Sequence, residues 1–231
     1  MELSKRLYAI ASFVSRGNTL ADIGTDHGYI PIYLVKHEIC PKAFAMDVNQ
    51  GPLDKAITNV RAEGLEQQIM CIKSNGLEYL PENQVDTIVI AGMGGDLMEQ
   101  ILVLGEGKLK DIQELVLSPQ SHPEKVRQFL HNHGFMIQAE SMLKEDGKFY
   151  LILHATRGIE HFQEEYLYLY GKKLLEAKDE TMGEYLELEL KSVEKILESF
   201  SSMNLPSVET RRIQLTEKKK NIMEALTYYE V

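Results

Sequence analysis

The residues with the clearest chemical potential lie in one short turn, D-I-G-T-D-H-G-Y-I-P, residues 22–31. Apolar residues on both sides indicate a strand, a glycine turn and then a helix. Gly24 and Gly28 would let a ligand approach the backbone closely, and the start of the helix offers free N–H groups. The spacing differs from the G-x-G-x-x-G of dinucleotide sites, and Asp22 and Asp26 would repel a pyrophosphate.

Acidic residues in such a turn suit a cofactor that carries positive charge. S-adenosylmethionine has an ammonium and a sulfonium group, so we predict that the turn binds it through Asp22, Gly24 and Gly28. His27 is a candidate for a further contact to the cofactor, although a lone histidine is more often structural. The alternative interpretation is an ordinary turn in which Asp26 caps the helix.

Three more predicted strand ends carry residues that fit a nucleoside. Asp47 follows the second strand, where a carboxylate can accept both ribose hydroxyls; capping the next helix is the alternative. After the third strand, Asn75 and Gly76 belong either beside an adenine ring or in a simple turn. The fourth strand ends in A-G-M-G-G-D, residues 91–96, whose glycines indicate a close approach to the backbone. The cofactor contacts predicted there are Ala91, Gly92 and Met93.

A regular order of elements would bring these strand ends together. Apolar, strand-length runs alternate with helical segments, which indicates a parallel sheet buried on both faces. The predicted strands lie near 20–23, 43–46, 69–72, 87–90 and 115–117, and the helices near 3–15, 28–37, 53–64, 95–104 and 123–133.

The end of this repeating unit has a different pattern. Two further strands, 135–142 and 149–154, are joined by K-E-D-G-K without a helix, and the Asp-Gly pair marks a hairpin. Five βα units followed by a hairpin are the order expected of a Rossmann-like class I methyltransferase. We therefore predict an α/β fold with a mostly parallel seven-stranded sheet that ends in an antiparallel β-hairpin.

After about residue 158 the chain becomes rich in Glu, Lys and Leu, and strand patterns end. Heptad-like apolar spacing from Leu186 to Phe200 and from Val208 to Tyr229 predicts an antiparallel coiled-coil hairpin. The break between the two stretches falls at 201–206. We predict two domains: a cofactor-binding methyltransferase domain over 1–158 and a helical coiled-coil domain over 159–231.

The composition bears on the kind of partner, on metal binding and on the location of the protein. The formal charge of −10 argues against a nucleic-acid partner when taken alone, yet basic residues cluster near both ends of the chain. Solvated helix faces are the alternative explanation of these clusters. The two cysteines have no C-x-x-C spacing, so we predict no metal site. No apolar stretch is long enough for a membrane span or a signal peptide, so we expect a cytoplasmic protein.

Four motifs together resemble those of the bacterial tRNA (adenine(22)-N(1))-methyltransferases, and the resemblance covers nearly the whole chain. The motifs are L-S-K-R-L at 3–7, A-D-I-G-T-D-H-G-Y-I-P at 21–31, I-A-G-M-G-G at 90–95 and E-D-G-K-F-Y at 145–150. The chain departs from the family pattern at three places. They are Asp47 for the usual Glu, S-N-G-L at 74–77 for G-D-G-L, and L-S-P-Q at 117–120 for L-Q-P-N.

The resemblance implies methyl transfer from S-adenosylmethionine to N1 of the adenine at tRNA position 22. It implies that Asp26 and Tyr29 are catalytic: Asp26 would oppose the positive charge that develops on the base, and Tyr29 would position or stack it. We expect a monomer rather than a stable oligomer, and tRNA as the partner. The residues expected to contact tRNA are Lys5, Arg6, Gly94, Gln120, Arg211, Arg212 and Lys218.

Two other functions stay open from the sequence. A methyltransferase that acts on another RNA or on a small molecule would agree with the acidic net charge. A non-catalytic interaction protein would use the coiled coil as its working part and the Rossmann-like domain as a sensor of the cofactor. Only a true tRNA methyltransferase should yield N1-methyladenosine in tRNA.

Overall fold

The computed structural model describes residues 2–200 and 206–230. The chain divides into two compact units, Met1–Glu160 and His161–Val231. No helix in the described part of the chain is long and apolar enough to cross a membrane.

The first unit is built on a seven-stranded sheet in the order β3-β2-β1-β4-β5-β7-β6. Its strands are β1 Leu20–Ile23, β2 Ala43–Asp47, β3 Ile69–Lys73, β4 Thr87–Met93, β5 Glu114–Pro119, β6 Phe135–Glu145 and β7 Lys148–Arg157. The first five strands are parallel, and β7 runs antiparallel to both β5 and β6. The predicted fold class is confirmed, including the antiparallel hairpin at the end of the sheet.

Helices cover the sheet as the alternating pattern predicted. They are α1 Lys5–Ser12, α2 Tyr29–Lys36, α3 Gln50–Ala62, α4 Gly95–Leu104, α5 Glu106–Leu109 and α6 Pro123–Asn132. All residues of β1, β2 and β5 are buried, which explains why these strands are apolar along most of their length. Because β2 and β3 lie on one side of β1 and β4 and β5 on the other, the order reverses between β1 and β4, where open α/β sheets bind ligands.

A buried carboxylate joins several elements at the amino ends of β4 and β5. Glu114 lies at the start of β5, and its carboxylate accepts hydrogen bonds from Ser15 and Thr87. The Nε2 atom of His154 lies 2.8 Å from the same carboxylate. Burial by itself would raise the pKa of Glu114, but the hydrogen bonds from His154, Ser15 and Thr87 outweigh it and lower the pKa to about 2.

Replacing Glu114 with glutamine is expected to destabilise the protein by about 2–3 kcal/mol at pH 7, because hydrogen bonds to a charged acceptor are lost. The folded-state pKa is below the ordinary value, so this contribution is present above about pH 4.5 and is lost as the pH falls towards 2. Urea unfolding of both proteins at pH 7 and pH 3 measures it. An equal difference in unfolding free energy at the two pH values would contradict a charge-based role.

The second unit is helical within its described residues. Its helices are α7 Glu165–Tyr170, α8 Lys172–Glu176, α9 Glu180–Ser199 and α10 Pro206–Leu226. Helices α9 and α10 run antiparallel, since Tyr229 lies beside Gly183 near the start of α9 while Lys218 pairs with Glu189 further along. The predicted coiled-coil packing of their seam stays a prediction, and residues 201–205 of the predicted connecting loop lie outside the described residues.

Candidate active site

The glycine turn after β1 is shaped by its neighbours on the sheet. The backbone N–H groups of Gly24 and Thr25 both donate to the carbonyl of Met46, at 2.7 and 3.0 Å. Gly24 has a φ of +75°, and a Cβ atom added there would come within 2.2 Å of the Met93 Cε atom. The turn therefore needs glycine at this position for its backbone conformation, whereas the flexible end of the Met93 side chain can shift to admit a Cβ atom.

The next part of the turn holds His27 in a left-handed conformation, with a φ of 64°. Its carbonyl accepts a hydrogen bond from Asn59 Nδ2 at 2.8 Å, and its ring stacks on that of Tyr29 with the centroids 5.1 Å apart. The His27 Nε2 atom lies 3.4 Å from Lys55 Nζ and 3.5 Å from Asp26 Oδ1. These contacts give His27 a structural role in fixing Asp26 and Tyr29.

A cavity of about 160 Å³ opens where β1 and β4 end. It is lined by Arg6, Leu7, Asp22, Gly24, Thr25, Asp26, Tyr29, Ile30 and Ala91. Small-molecule pockets usually measure about 300–1,000 Å³, so the cavity would enclose one part of a nucleoside cofactor or of a target base. The structure thus brings both predicted catalytic residues, Asp26 and Tyr29, to the same cavity as Asp22.

Asp22 is the most unusual charged group of this cavity. Its side chain is only 3% exposed, and it forms no ion pair with any residue that the structure describes. Burial raises the pKa of Asp22 to about 7; the Thr25 hydroxyl opposes the shift and the Asp47 carboxylate adds to it. A buried carboxylate without a counterion fits a ligand that brings its own positive charge, as the ammonium and sulfonium groups of S-adenosylmethionine would.

Asp47 lies at the end of β2 and is almost buried. One of its oxygens, Oδ1, accepts a hydrogen bond from the backbone N–H of Asn49 at 2.7 Å, which closes a local turn before α3 rather than capping the helix. Its carbonyl accepts a bond from the N–H of Ser74, which ties the loop after β3 to this strand end. In that loop Gly76 has a left-handed φ of 56° and the Asn75 side chain is exposed. Neither Asn75 nor Gly76 lines the cavity.

The glycine-rich end of β4 contains an irregularity in the sheet. The pairing register with β5 shifts between Ala91 and Met93, and Gly92 between them has a φ of +77°. A Cβ atom on Gly92 would lie 3.5 Å from Arg6 Nη1 and 3.9 Å from Gln120 Nε2. The N–H of Gln120 donates to the Met93 carbonyl at 2.8 Å. Two of the residues predicted to contact tRNA, Arg6 and Gln120, therefore lie beside the predicted cofactor loop.

Arg6 is held against the β-hairpin. Its guanidinium carbon lies 5.0 Å from the centroid of the Tyr150 ring, and its backbone N–H donates to Glu145 Oε1 at 3.4 Å. The neighbouring Lys5 is exposed and forms no ion pair within the described residues. The two cations thus differ: Arg6 lines the cavity wall, whereas Lys5 is available on the surface beside it.

Gly94 and Gly95 allow the loop after β5 to dock on the start of α4. A Cβ atom at Gly95 would come within 2.3 Å of the Ser121 carbonyl oxygen, and one at Gly94 would lie 3.0 Å from Ser121 Oγ. The N–H of Gly95 donates to the same carbonyl at 2.8 Å. Close packing of two loops therefore accounts for these glycines without a ligand.

The basic residues near the C-terminus are largely paired with neighbouring side chains. Lys218 Nζ lies 2.7 Å from Glu189 Oε1, and Arg212 pairs with Glu209 on its own helix. Arg211 donates to the Gln214 side chain at 3.1 Å. These partners reduce the positive charge that this helix can offer to a polyanion.

The family model described as tRNA (adenine(22)-N(1))-methyltransferase, TrmK, matches residues 20–225. The chain belongs to the TrmK family. The recognition made from the motifs is thereby confirmed. The matched range includes the turn at 22–31, the A-G-M-G-G segment and most of the helical unit.

Individual relatives agree with the TrmK assignment. The tRNA (adenine(22)-N(1))-methyltransferase of Bacillus subtilis is 37% identical over 158 residues, which are 68% of this chain and 66% of that protein. A Streptococcus pneumoniae protein solved in complex with S-adenosyl-L-methionine is 38% identical, with a TM-score of 0.88 over 97% of this chain and 100% of its own. M. capricolum TrmK in complex with S-adenosyl-homocysteine is 29% identical, with a TM-score of 0.88 and full coverage of both chains.

Some residues that shape this TrmK site were missed by sequence reasoning. Lys55 and Asn59 on α3 hold His27, and Tyr150 on the hairpin stacks with Arg6. Spacing along the chain gives no signal for these contacts, because each joins residues that are far apart in sequence. Of these residues, only Tyr150 lies in a motif that the sequence analysis singled out, E-D-G-K-F-Y at 145–150. In the described part of the chain, no group of three or more His, Cys, Asp or Glu residues is arranged to hold a metal ion.

Proposed function

We propose that this protein transfers a methyl group from S-adenosylmethionine to N1 of the adenine at position 22 of tRNA. The match of the TrmK family model over residues 20–225 carries the proposal. The B. subtilis relative bears the name of this activity, and two further relatives were solved with the methyl donor or its product. The cavity beside Asp22 and Asp26 supports the proposal as a candidate location of the reaction.

The cofactor would occupy the strand ends of the first unit, which we assign to a methyltransferase domain over 1–158. Asp22 would take positive charge of the cofactor, and Asp47 would use its remaining oxygen for the ribose. Left-handed glycines would admit the ligand close to the backbone. The proposed cofactor contacts are Asp22, Gly24, His27, Gly28, Asp47, Asn75, Gly76, Ala91, Gly92 and Met93.

S-adenosylmethionine supplies an electrophilic methyl group, and adenine N1 has a lone pair that can accept it. The protein therefore needs no strong base to create the nucleophile, and no metal to activate it. As N1 becomes methylated, the adenine becomes cationic, and the Asp26 carboxylate at the mouth of the cavity would stabilise that charge. Tyr29, fixed by its stack on His27, would hold the plane of the base. Proximity and alignment of the two reactants would provide most of the remaining rate enhancement.

The tRNA would bind mainly to residues beside the cavity. Lys5 and Arg6 on α1, with Gly94 and Gln120, are the proposed contacts nearest to the target base. Arg211, Arg212 and Lys218 are the proposed contacts in the helical domain, 159–231. Since Arg212 and Lys218 are already paired with acidic residues, we expect each to contribute less than Lys5.

Charge reversal of Arg211, Arg212 and Lys218 to glutamate is expected to weaken tRNA binding about tenfold at physiological salt, because three phosphate partners would be lost. The affinity for S-adenosylmethionine should stay unchanged. Filter binding with tRNA and calorimetry with the cofactor measure the two quantities. The double variant Glu189→Lys with Lys218→Glu exchanges the two charges of one ion pair and keeps the pair, so it is the control for helix packing. Unchanged tRNA affinity in the triple variant would remove this helix from the binding surface.

Mass spectrometry of tRNA after incubation with the protein and S-adenosylmethionine tests the function directly. We expect N1-methyladenosine at position 22 in a tRNA with adenine there, and none in the same tRNA with guanine at that position. Methylation of another RNA or of a small molecule would replace the proposed substrate. Cofactor binding without any methylated product would indicate a sensor protein.

The assembly and location follow from the same proposal. We propose that the active species is a monomer. We place the enzyme in the cytoplasm because its proposed substrate is tRNA. Sedimentation of the protein alone and with tRNA would measure the number of chains in the active species.

A further inference from the structure

One face of α2 carries a row of aromatic rings. Tyr29, Tyr33 and His37 are spaced by four residues, which places them on the same side of the helix. The Tyr33 and His37 rings lie 4.4 Å apart. Tyr29, at the inner end of the row, lines the cavity, whereas His37 is exposed at the outer end. The row therefore leads from the cavity towards the surface.

Helix α1 adds a fourth ring to the row. Tyr8 meets Tyr33 edge to face, with the centroids 6.0 Å apart and the ring planes at 78°. Tyr8 is 57% exposed, so most of its ring is available to a partner. We call Tyr8, Tyr29, Tyr33 and His37 the aromatic track.

Positive charge lies beside the aromatic track. Lys5 precedes Tyr8 by three residues, so the two side chains are neighbours on α1. Lys5 forms no ion pair within the described residues, and Arg6 lines the cavity that contains Tyr29. Exposed aromatic rings next to positively charged side chains are the combination that binds unpaired nucleotides, because the rings stack on bases and the cations contact phosphates.

We propose that the aromatic track stacks an unpaired nucleotide adjacent to the target adenine, an inference that rests on the proposed tRNA methylation. The target base must leave its stack to reach the cavity, and its neighbours then lose a stacking partner. The Tyr8 ring, which follows the cavity-lining residues Arg6 and Leu7 on α1, would replace that partner and hold the opened RNA. The tyrosine and histidine rings are planar and have polar edges. Such rings stack well on a nucleobase, and they fit a nucleobase better than they fit the aliphatic side chains of a protein partner.

Packing within the protein accounts for only part of the track. Tyr33 is half-buried and packs against the hydrophobic core of the first unit. Tyr8, in contrast, exposes more than half of its surface, so its loss should disturb the fold little. Tyr8 is therefore the position at which recognition of RNA and stability of the fold can be separated.

Tyr8→Ala is expected to raise the KM for tRNA about tenfold, because one base–ring stack is lost, with kcat changed far less. Tyr8→Phe keeps the ring and should stay within about twofold of the wild type. The matched control is Tyr79→Ala, another exposed tyrosine, which follows the edge strand β3. Steady-state methylation assays and melting temperatures of all four proteins provide the comparison. A wild-type KM in a folded Tyr8→Ala variant would overturn the proposal.

A binding experiment keeps this test independent of the reaction. The tRNA carries 2-aminopurine on one side or the other of the target adenine, and its fluorescence reports stacking. At saturating protein, the wild type and Tyr8→Phe should quench the 2-aminopurine fluorescence, whereas with Tyr8→Ala the fluorescence should stay high. Equal quenching by Tyr8→Ala would overturn the proposal that the aromatic track stacks a nucleotide. Quenching by a wild type that makes no N1-methyladenosine would support the track and refute the proposed reaction.

Discussion

Asp26→Ala is expected to lower kcat for tRNA methylation about 100-fold, while the affinity for S-adenosylmethionine stays within about twofold. The Asp26 side chain is 70% exposed and lies at the cavity beside Tyr29, so removing it should not disturb the core. The expected loss comes from the positive charge that the methylated adenine would acquire without a nearby carboxylate. Single-turnover methylation and calorimetric titration of the cofactor measure the two effects.

Asp26→Asn separates charge from hydrogen bonding. The asparagine carbonyl can still accept a bond from the adenine N6 amino group, but it cannot oppose a full positive charge. If charge dominates, Asp26→Asn should be nearly as slow as Asp26→Ala. Asp54→Asn, on the exposed side of α3, is the control for a general loss of negative charge. A kcat close to the wild-type value in Asp26→Ala would remove Asp26 from the chemistry.

Asp22→Asn is expected to make the cofactor-free protein more stable at pH 8 and to abolish tight binding of S-adenosylmethionine. Burial raises the pKa of Asp22 from 3.8 to about 7. The contribution of this group to stability is therefore fully present below about pH 4 and is lost as the pH rises through 7. A neutral amide avoids that loss, which corresponds to on the order of 4 kcal/mol at pH 8.

The pH dependence makes this prediction specific. Thermal unfolding without cofactor should show a gain for Asp22→Asn at pH 8 and a much smaller gain at pH 4.5. The wild type should bind S-adenosylmethionine more tightly as the pH rises from 6 to 8, because the ionised Asp22 is the form that pairs with a cation. In the variant we expect the affinity to fall at least about tenfold and to lose this dependence. A variant that is destabilised equally at both pH values would show that Asp22 acts through packing.

Much of the first unit could be predicted from the sequence because its signals are local. Each local pattern predicts the structure of its own segment. The apolar runs at 20–23 and 43–46 predict β1 and β2, and the Asp-Gly pair predicts the β6–β7 hairpin; all of them are present in the structure. The turn at 22–31 was identified because glycines and carboxylates are close together in the chain. These features need no knowledge of distant residues.

The rest of the site depends on tertiary contacts that spacing does not encode. Arg6 was expected to contact tRNA, but its neighbours could not be predicted: α1 packs so that the guanidinium lies by Gly92 and stacks on Tyr150. The cluster around Lys218 was expected to offer positive charge, yet Glu189 on α9 pairs with it. In both cases the partner is far away in sequence, so the environment of the charge could not be predicted.

Glu114 and Asp22 show that one sheet can bury two carboxylates with opposite results. Glu114 accepts several hydrogen bonds and its pKa falls, whereas Asp22 forms no ion pair within the described residues and its pKa rises. A directed-evolution experiment that screened only for heat resistance would therefore keep Glu114 and discard Asp22. Variants selected in that way should lose the methyl donor first, which offers a genetic route to the binding site without any prior assay of catalysis.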